Sequence, residues 1–142
     1  MKRYRWLMGI LLIALSLMGD LSAYAAPPGL PAVFYGSVKV GEGNIPLGSV
    51  VHAYIDGVGF DQATVQQDPG QGTVYVLNVR ADDPDTPEKE GGRDGDVVTF
   101  RLEMPGGETR HMVQRGVWYS GEAMLLNLTS YQPGRRKFHS TQ

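Results

Sequence analysis

The most unusual chemistry in the sequence is a concentration of carboxylates between positions 82 and 96. Seven acidic side chains occur there, and Ca²⁺ prefers about six to eight hard oxygen ligands. The candidate calcium ligands are Asp82, Asp83, Asp85, Asp94 and Asp96. The spacing differs from that of an EF-hand loop, and Lys89 and Arg93 would stand among the ligands. The alternative is a solvated acidic loop shaped by Pro and Gly, in which Asp82 and Asp94 make Asx-type hydrogen bonds.

Histidine and serine are the remaining candidates for catalysis. His52 and His111 fall on different predicted strands without a second histidine two residues away, and His139 lies near the C-terminus. The alternative is that His52 and His111 are exposed strand residues without a metal-binding or general-base role. No Gly-x-Ser-x-Gly elbow surrounds a serine, and no glycine-rich phosphate loop opens a helix. We therefore expect that the protein is not an enzyme.

Aromatic residues are candidates for binding a sugar, because sugar rings stack on flat aromatic faces. Tyr35 and Tyr54 occupy outward positions of predicted strands, and Trp118 and Tyr119 form an adjacent pair. These four residues are the candidate ligand-binding platform. In the alternative interpretation, Trp118 closes one end of the hydrophobic core.

The elements that must position these side chains are β-strands. Gly and Pro punctuate the chain about every ten residues, and alternating apolar residues stand between them. The predicted strands are 33–40, 49–56, 60–66, 73–80, 96–104, 108–114 and 122–129. Asp56-Gly57 and Pro105-Gly106-Gly107 predict antiparallel hairpins. The pattern predicts an all-β fold, a single antiparallel two-sheet β-sandwich of about seven strands.

Alternation within these strands also predicts which side chains point into the core and which face solvent. Outward positions include those of His52 and Tyr54. The clearest inward positions are Phe34, Val38, Val40, Val51, Ala53, Ile55, Tyr75, Leu77, Val79, Val98, Phe100, Leu102, Met124, Leu126 and Leu128.

The pattern of residues 1–25 predicts a helical signal peptide. Three basic residues precede an uncharged run over 6–18, which is short for a hydrocarbon core of about 30 Å. Ala23-Tyr24-Ala25 has the small-x-small pattern of a signal peptidase site, so Ala26 is the expected mature N-terminus. An uncleaved anchor is the alternative. We expect secretion to the extracellular space or cell surface, or to the periplasm of a cell with two membranes.

Charge and composition narrow the range of partners. Removal of the signal takes three of the 13 basic and one of the 15 acidic residues, which leaves a formal charge of −4. An acidic chain without a basic stripe in its sequence is a poor binder of nucleic acid, and no membrane segment remains after cleavage. The absence of Cys excludes disulfides and thiolate metal sites. The expected organisation is a signal peptide (1–25), an extended Pro-rich lead (26–32), a β-sandwich domain (33–129) and a polar C-terminal tail (130–142), in which Arg135-Arg136-Lys137 is solvated.

Several of these segments resemble known β-sandwich modules. Residues 34–38 (FYGSV) and 45–54 (IPLGSVVHAY) resemble the opening of transthyretin-like modules, also called carboxypeptidase regulatory-like or Cna-B-like, with an x-G-x-V strand before a Pro-x-Gly-x-x-Val strand. Residues 75–79 (YVLNV) are similar to their Tyr-x-Leu-x-Val strand, and 95–100 (GDVVTF) to a strand start of secreted Ig-like modules. The resemblance covers about 33–129 and implies a stalk, adhesion or substrate-presenting domain of a prokaryotic surface protein.

The sequence therefore predicts a secreted, non-catalytic β-sandwich module with a structural or interaction role and without a cofactor. Its expected partner is an extracellular protein or glycan. The alternative function is carbohydrate binding or calcium-dependent ligand binding. Self-association, in which the lead or the tail reaches an exposed strand edge of a neighbour, is a further hypothesis.

Overall fold

The computed structural model describes residues 29–130, and these residues form β-strands and loops without a helix. Nine strands are present in this range: β1 (Ala32–Lys39), β2 (Val50–Ile55), β3 (Val58–Thr64), β4 (Gln66–Asp68), β5 (Gly72–Val79), β6 (Val97–Glu103), β7 (Thr109–Val117), β8 (Ala123–Leu125) and β9 (Leu128–Thr129). The predicted signal peptide, residues 26–28 of the lead and residues 131–142 of the tail lie outside the described residues. Between residues 29 and 130, no helix is long and apolar enough to cross a membrane.

The strands form two sheets. The first sheet has the order β4-β5-β1-β8, with β9 also paired to β1, and the second sheet has the order β3-β2-β6-β7. The all-β, two-sheet prediction is confirmed. The expectation of about seven strands in a purely antiparallel arrangement is wrong in detail, because the described residues form nine strands and β1 pairs in parallel with β8 and β9. After β7 the chain crosses to the other sheet, so no hairpin sets the direction of these last strands.

The two additional strands have local causes. Asp68 accepts hydrogen bonds from the N–H groups of Gly70 and Gln71, 2.8 Å each, and this turn folds β4 back onto β5. The predicted strand 122–129 is divided into β8 and β9 at Leu126 and Asn127. There the Leu126 carbonyl accepts the Tyr75 hydroxyl at 2.7 Å, and the Asn127 side chain accepts the Ser37 N–H at 3.0 Å.

The core lies between the two sheets and follows the predicted alternation. Phe34 of the first sheet meets Phe100 of the second edge to face, with ring centroids 5.5 Å apart, an arrangement aromatic rings favour. Burial raises the pKa of the Tyr75 hydroxyl well above its ordinary value. The fully buried members of the predicted inward set are Phe34, Val38, Val51, Ala53, Ile55, Tyr75, Leu77, Val79, Val98, Phe100, Leu102 and Leu128. Val40, Met124 and Leu126 pack against this core while partly exposed.

Both predicted hairpins are confirmed. Asp56 and Gly57 have φ angles of 51° and 82°, the left-handed conformation that a tight turn between β2 and β3 requires. Residues 104–108 connect β6 with β7 around the predicted Pro105-Gly106-Gly107 turn, and the Met104 N–H donates to the Glu108 carbonyl at 2.8 Å. The second sheet is consequently assembled from two local hairpins, joined where β2 pairs with β6.

One side of the sandwich is closed by β9. The Thr129 N–H donates to Gln114 Oε1 at 2.7 Å, and Gln114 Nε2 donates to Thr129 Oγ1 at 2.8 Å. Ser130, the first residue of the predicted tail, is buried and donates its N–H to the Lys39 carbonyl at 3.0 Å. These bonds connect the first sheet to β7 of the second sheet, so the fold extends to the end of the described range.

Candidate functional site

The acidic loop, residues 80–96, connects β5 of the first sheet to β6 of the second and is organised around Asp82. The Asp82 side chain is 1% exposed and lies 2.5 Å from Arg93 Nε. It also accepts the Glu90 N–H at 2.6 Å. That backbone hydrogen bond, helped by the Arg93 guanidinium, outweighs the opposing effect of burial and holds the pKa of Asp82 below its ordinary value. Asp82 is therefore an internal anchor of the loop.

A second anchor ties the acidic loop to the β2–β3 turn. Lys89 Nζ lies 2.9 Å from a carboxylate oxygen of Asp56 and 2.9 Å from one of Asp96. These two carboxylates raise the pKa of Lys89. Burial by itself would raise the pKa of Asp96, but the hydrogen bond from the Arg93 N–H and the contact with Lys89 lower it below its ordinary value. Lys89 therefore offsets part of the negative charge of Asp56 and Asp96 at this end of the sandwich.

The other proposed calcium ligands are also separated by their contacts. Asp83 accepts the Asp85 N–H at 2.9 Å in an Asx turn, and Asp94 accepts the Ser120 N–H at 2.9 Å. Asp85 is exposed. Within residues 29–130, no group of three His, Asp or Glu side chains is arranged to hold a metal ion. The Asx-type bonds predicted at Asp82 and Asp94 are wrong in detail, because these two carboxylates accept N–H groups of Glu90 and Ser120 that are distant along the chain.

The four aromatic candidates do not form one surface. Trp118 is 2% exposed, and its Nε1 donates to the Val79 carbonyl at 2.9 Å, so it is part of the core. Tyr119 follows it and is exposed. Tyr35 lies on the outer face of the first sheet, whereas Tyr54 lies on the outer face of the second. A platform built from all four is consequently ruled out by the sandwich, which places the two strand tyrosines on opposite sides of the core.

The outer face of the first sheet is apolar around Tyr35. Val76 of β5 and Leu125 of β8 stand directly opposite Tyr35 on its two neighbouring strands. All three side chains are substantially exposed. They form a short row, and an exposed row of three apolar side chains is small beside the roughly 800 Å² that each partner contributes to a standard protein interface.

The outer face of the second sheet is different, because it brings together cations from separate strands. We call His52, Tyr54, Arg101, His111 and Arg115 the cationic face. Register places His52 of β2 opposite Arg101 of β6, and Arg101 opposite His111 of β7. Arg115 lies in the neighbouring row, opposite Thr99.

Two contacts order the centre of the cationic face. The Arg101 guanidinium lies over the Tyr54 ring, 4.4 Å from its centroid, which is within the range of a cation–π interaction. His52 Nε2 lies 3.2 Å from Glu103 Oε2, at the side of the face. Within residues 29–130, neither Arg101 nor Arg115 forms an ion pair with a carboxylate. Their positive charges are consequently left for solvent or a ligand.

Sequence reasoning did not find Arg101 and Arg115 and treated the two strand histidines as unrelated. Alternation places each of these side chains outward, and that signal was available. The alternation pattern does not show that β6 pairs with both β2 and β7, and this pairing joins residues up to 63 positions apart.

Comparison with known protein families, curated proteins and solved structures finds no match to this chain.

Proposed function

We propose that this protein is an exported, non-catalytic β-sandwich module of the transthyretin-like kind, and that it acts by binding a partner at the cell surface. The proposal combines the predicted signal peptide, the sequence resemblance and the two-sheet fold. Its partner is an extracellular protein or a glycan, and its binding surface is the cationic face.

One observation carries this proposal: side chains of three neighbouring strands converge on the cationic face above a fully buried core layer. Val51, Ala53 and Phe100 lie beneath it at 0–1% exposure. Side chains that project from such a sheet keep a fixed spacing, which suits binding better than a mobile loop does. The acidic loop has a structural role instead, since Asp82, Asp96 and Lys89 form contacts that hold one end of the sandwich together.

Carbohydrate binding is the second candidate function, and the Tyr54–Arg101 stack favours it. The Tyr54 ring supports the guanidinium plane of Arg101, whose N–H groups are hydrogen-bond donors, and this pair lies half-buried on the outer face of the second sheet. The calcium-dependent version has no comparable support, because four of the five carboxylates proposed as ligands already accept hydrogen bonds from this loop or from Ser120.

Co-sedimentation with washed cell envelopes tests the binding role. We expect the purified protein to sediment with the envelopes and Arg101→Gln to weaken that binding several-fold. Tyr35→Ala serves as the control on the opposite outer face and should bind normally. Absence of envelope binding, or equal binding by both variants, would contradict the proposal.

Export is tested separately by N-terminal sequencing of the protein recovered from outside the cytoplasm. We expect the sequence to begin at Ala26, after the Ala23-Tyr24-Ala25 site. Recovery of the chain only from the cytoplasm, with its N-terminal residues intact, would contradict secretion.

A further inference from the structure

We propose that the cationic face binds an acidic polysaccharide. The inference rests on the proposed binding role of this face and names the class of ligand. It starts from a local excess of positive charge in a chain that has more acidic than basic residues overall, 15 against 13.

The excess arises from the outward positions of the second sheet. Arg101 and Arg115 supply this excess, and Glu103 is the one carboxylate at the outward positions of the four strands of this sheet. Arg110 and Glu108, at the β6–β7 turn, pair with each other. The face therefore carries unpaired positive charge even though the acidic loop and the whole chain are negative.

The arrangement of donors suits a ligand with several negative groups. Neighbouring strands lie about 4.8 Å apart, so Arg101 and His111 stand about 5 Å apart across the sheet, while His52 on the other side of Arg101 turns its Nε2 toward Glu103. Arg115 adds a second guanidinium roughly 7 Å farther along the strand direction. A single small anion would contact only part of this surface, whereas a chain with repeated acidic groups would contact all of it.

Main-chain pairing disfavours an extended peptide as the ligand. Peptides commonly bind sheets by adding a strand to an exposed edge. The centre of the cationic face is formed by β2 and β6, which are each paired on both sides, so their backbone groups are already used. Recognition here depends on side chains alone, and in the proposed complex the guanidinium of Arg101, held over Tyr54, and that of Arg115 each meet an acidic substituent of the chain.

Dextran sulfate and neutral dextran are the probes, because they share a backbone and differ in charge. Isothermal titration calorimetry with the purified protein should show binding of dextran sulfate, no binding of dextran, and weakening as salt rises from about 50 to 200 mM. Arg101→Gln combined with Arg115→Gln should weaken binding about tenfold or more, since each charge-assisted contact is worth about a factor of ten.

The matched control removes two cations elsewhere, by Arg135→Gln combined with Arg136→Gln in the C-terminal tail. This variant should keep at least half of the wild-type affinity. Circular dichroism melts of both double variants distinguish a loss of binding from a loss of folding. If the tail variant loses binding while the face variant retains it, the inference is overturned.

Two further outcomes separate this inference from the proposed function. If envelope binding depends on Arg101 but the protein has no affinity for dextran sulfate, the acidic-polysaccharide assignment is wrong. The proposed function as a binding module is then unaffected. Tighter binding of single-stranded DNA or polyglutamate than of dextran sulfate, through the same two arginines, would also overturn the polysaccharide assignment. Loss of envelope binding with dextran sulfate binding intact would contradict the surface role alone.

Discussion

At the level of single residues, the structure distinguishes side chains that hold the fold from those that are available for binding. Trp118 and Asp82 are both candidate ligand-binding residues in the sequence, yet each is buried and hydrogen bonded within the chain. Arg101 and Arg115 attract no attention in the sequence, yet both lie on the cationic face and neither pairs with a carboxylate among residues 29–130. Residue type alone does not separate these roles, because burial and partners decide them.

Trp118→Ala should destabilise the protein by about 3–5 kcal/mol, the usual cost of removing a buried large aromatic side chain. The variant loses both the packing of the indole in the core and its hydrogen bond to the Val79 carbonyl. Urea denaturation measures the change in the free energy of unfolding. Tyr119→Ala, at an exposed neighbour, should cost less than about 1 kcal/mol. Equal effects of the two substitutions would contradict the core role of Trp118.

At the level of elements, the parallel pairing of β1 with β8 and β9 depends on a close backbone approach at Gly36. This glycine has φ 152°, and a Cβ atom built there would lie 2.7 Å from the Leu126 carbonyl oxygen and 2.9 Å from Asn127 Oδ1. The resemblance to transthyretin-like modules implies such a glycine, and the structure shows which segment it accommodates. The same point divides the predicted last strand in two.

Gly36→Ala should therefore lower the free energy of unfolding by about 1–3 kcal/mol through overpacking. Gly106→Ala is the matched control, since its added Cβ would have no atom within 4 Å and its φ lies outside the left-handed region. Thermal denaturation of both variants compares them. A melting temperature unchanged by Gly36→Ala would show that β8 and β9 do not pack against β1 as described.

The acidic loop should make stability depend on pH at both extremes. The pKa values of Asp82 and Asp96 lie below their ordinary value near 3.9, so these carboxylates contribute stability above about pH 4 that is lost as pH falls through their folded-state pKa values. The raised pKa of Lys89 has the opposite sign. Its contribution is complete below about pH 10 and is lost as pH rises through the folded-state pKa.

Urea midpoints measured from about pH 2 to 7 test the acid limb. Asp82→Asn combined with Asp96→Asn should lower stability at pH 7 and flatten the decline toward low pH, because neither asparagine titrates. Asp85→Asn, at an exposed position that makes no side-chain hydrogen bond within the described residues, should follow the wild-type curve. An unchanged slope in the double variant would contradict the role assigned to these carboxylates.

At the level of the whole molecule, the sandwich separates charge of opposite sign. The acidic loop occupies one end, where Asp56, Asp82 and Asp96 meet Lys89 and Arg93. The cationic face covers the outside of the second sheet, and the outside of the first sheet presents the apolar row around Tyr35. A formal net charge of −2 hides this separation, so the mean charge is a poor guide to which partners the surface attracts.

Millimolar calcium should leave the melting temperature unchanged. A ligand that binds only the folded state raises stability in proportion to the logarithm of its concentration, but the carboxylates of the acidic loop are engaged with backbone N–H groups, Lys89 and Arg93. Differential scanning calorimetry in EDTA and in Ca²⁺ makes the comparison, with Mg²⁺ as the control for ionic strength. A saturable rise of several degrees specific to Ca²⁺ would contradict this reading of the loop.

Side-chain alternation and turn chemistry are properties of short segments. They were sufficient to predict the two-sheet all-β fold, both hairpins and nearly all of the inward positions. Phe34, Ala53, Leu77 and Phe100 are buried as a period of two predicts. The export signal and the transthyretin-like resemblance also come from the sequence and remain predictions.

Tertiary structure decided the remaining features. These are the strand order, the parallel pairing of β1 with β9, the burial of the Asp82 side chain and the assembly of the cationic face. Each depends on which distant strands pair, and that choice is made by the packing of two complementary sheets around one core. His52, Arg101 and Arg115 acquire a common surface only through that packing.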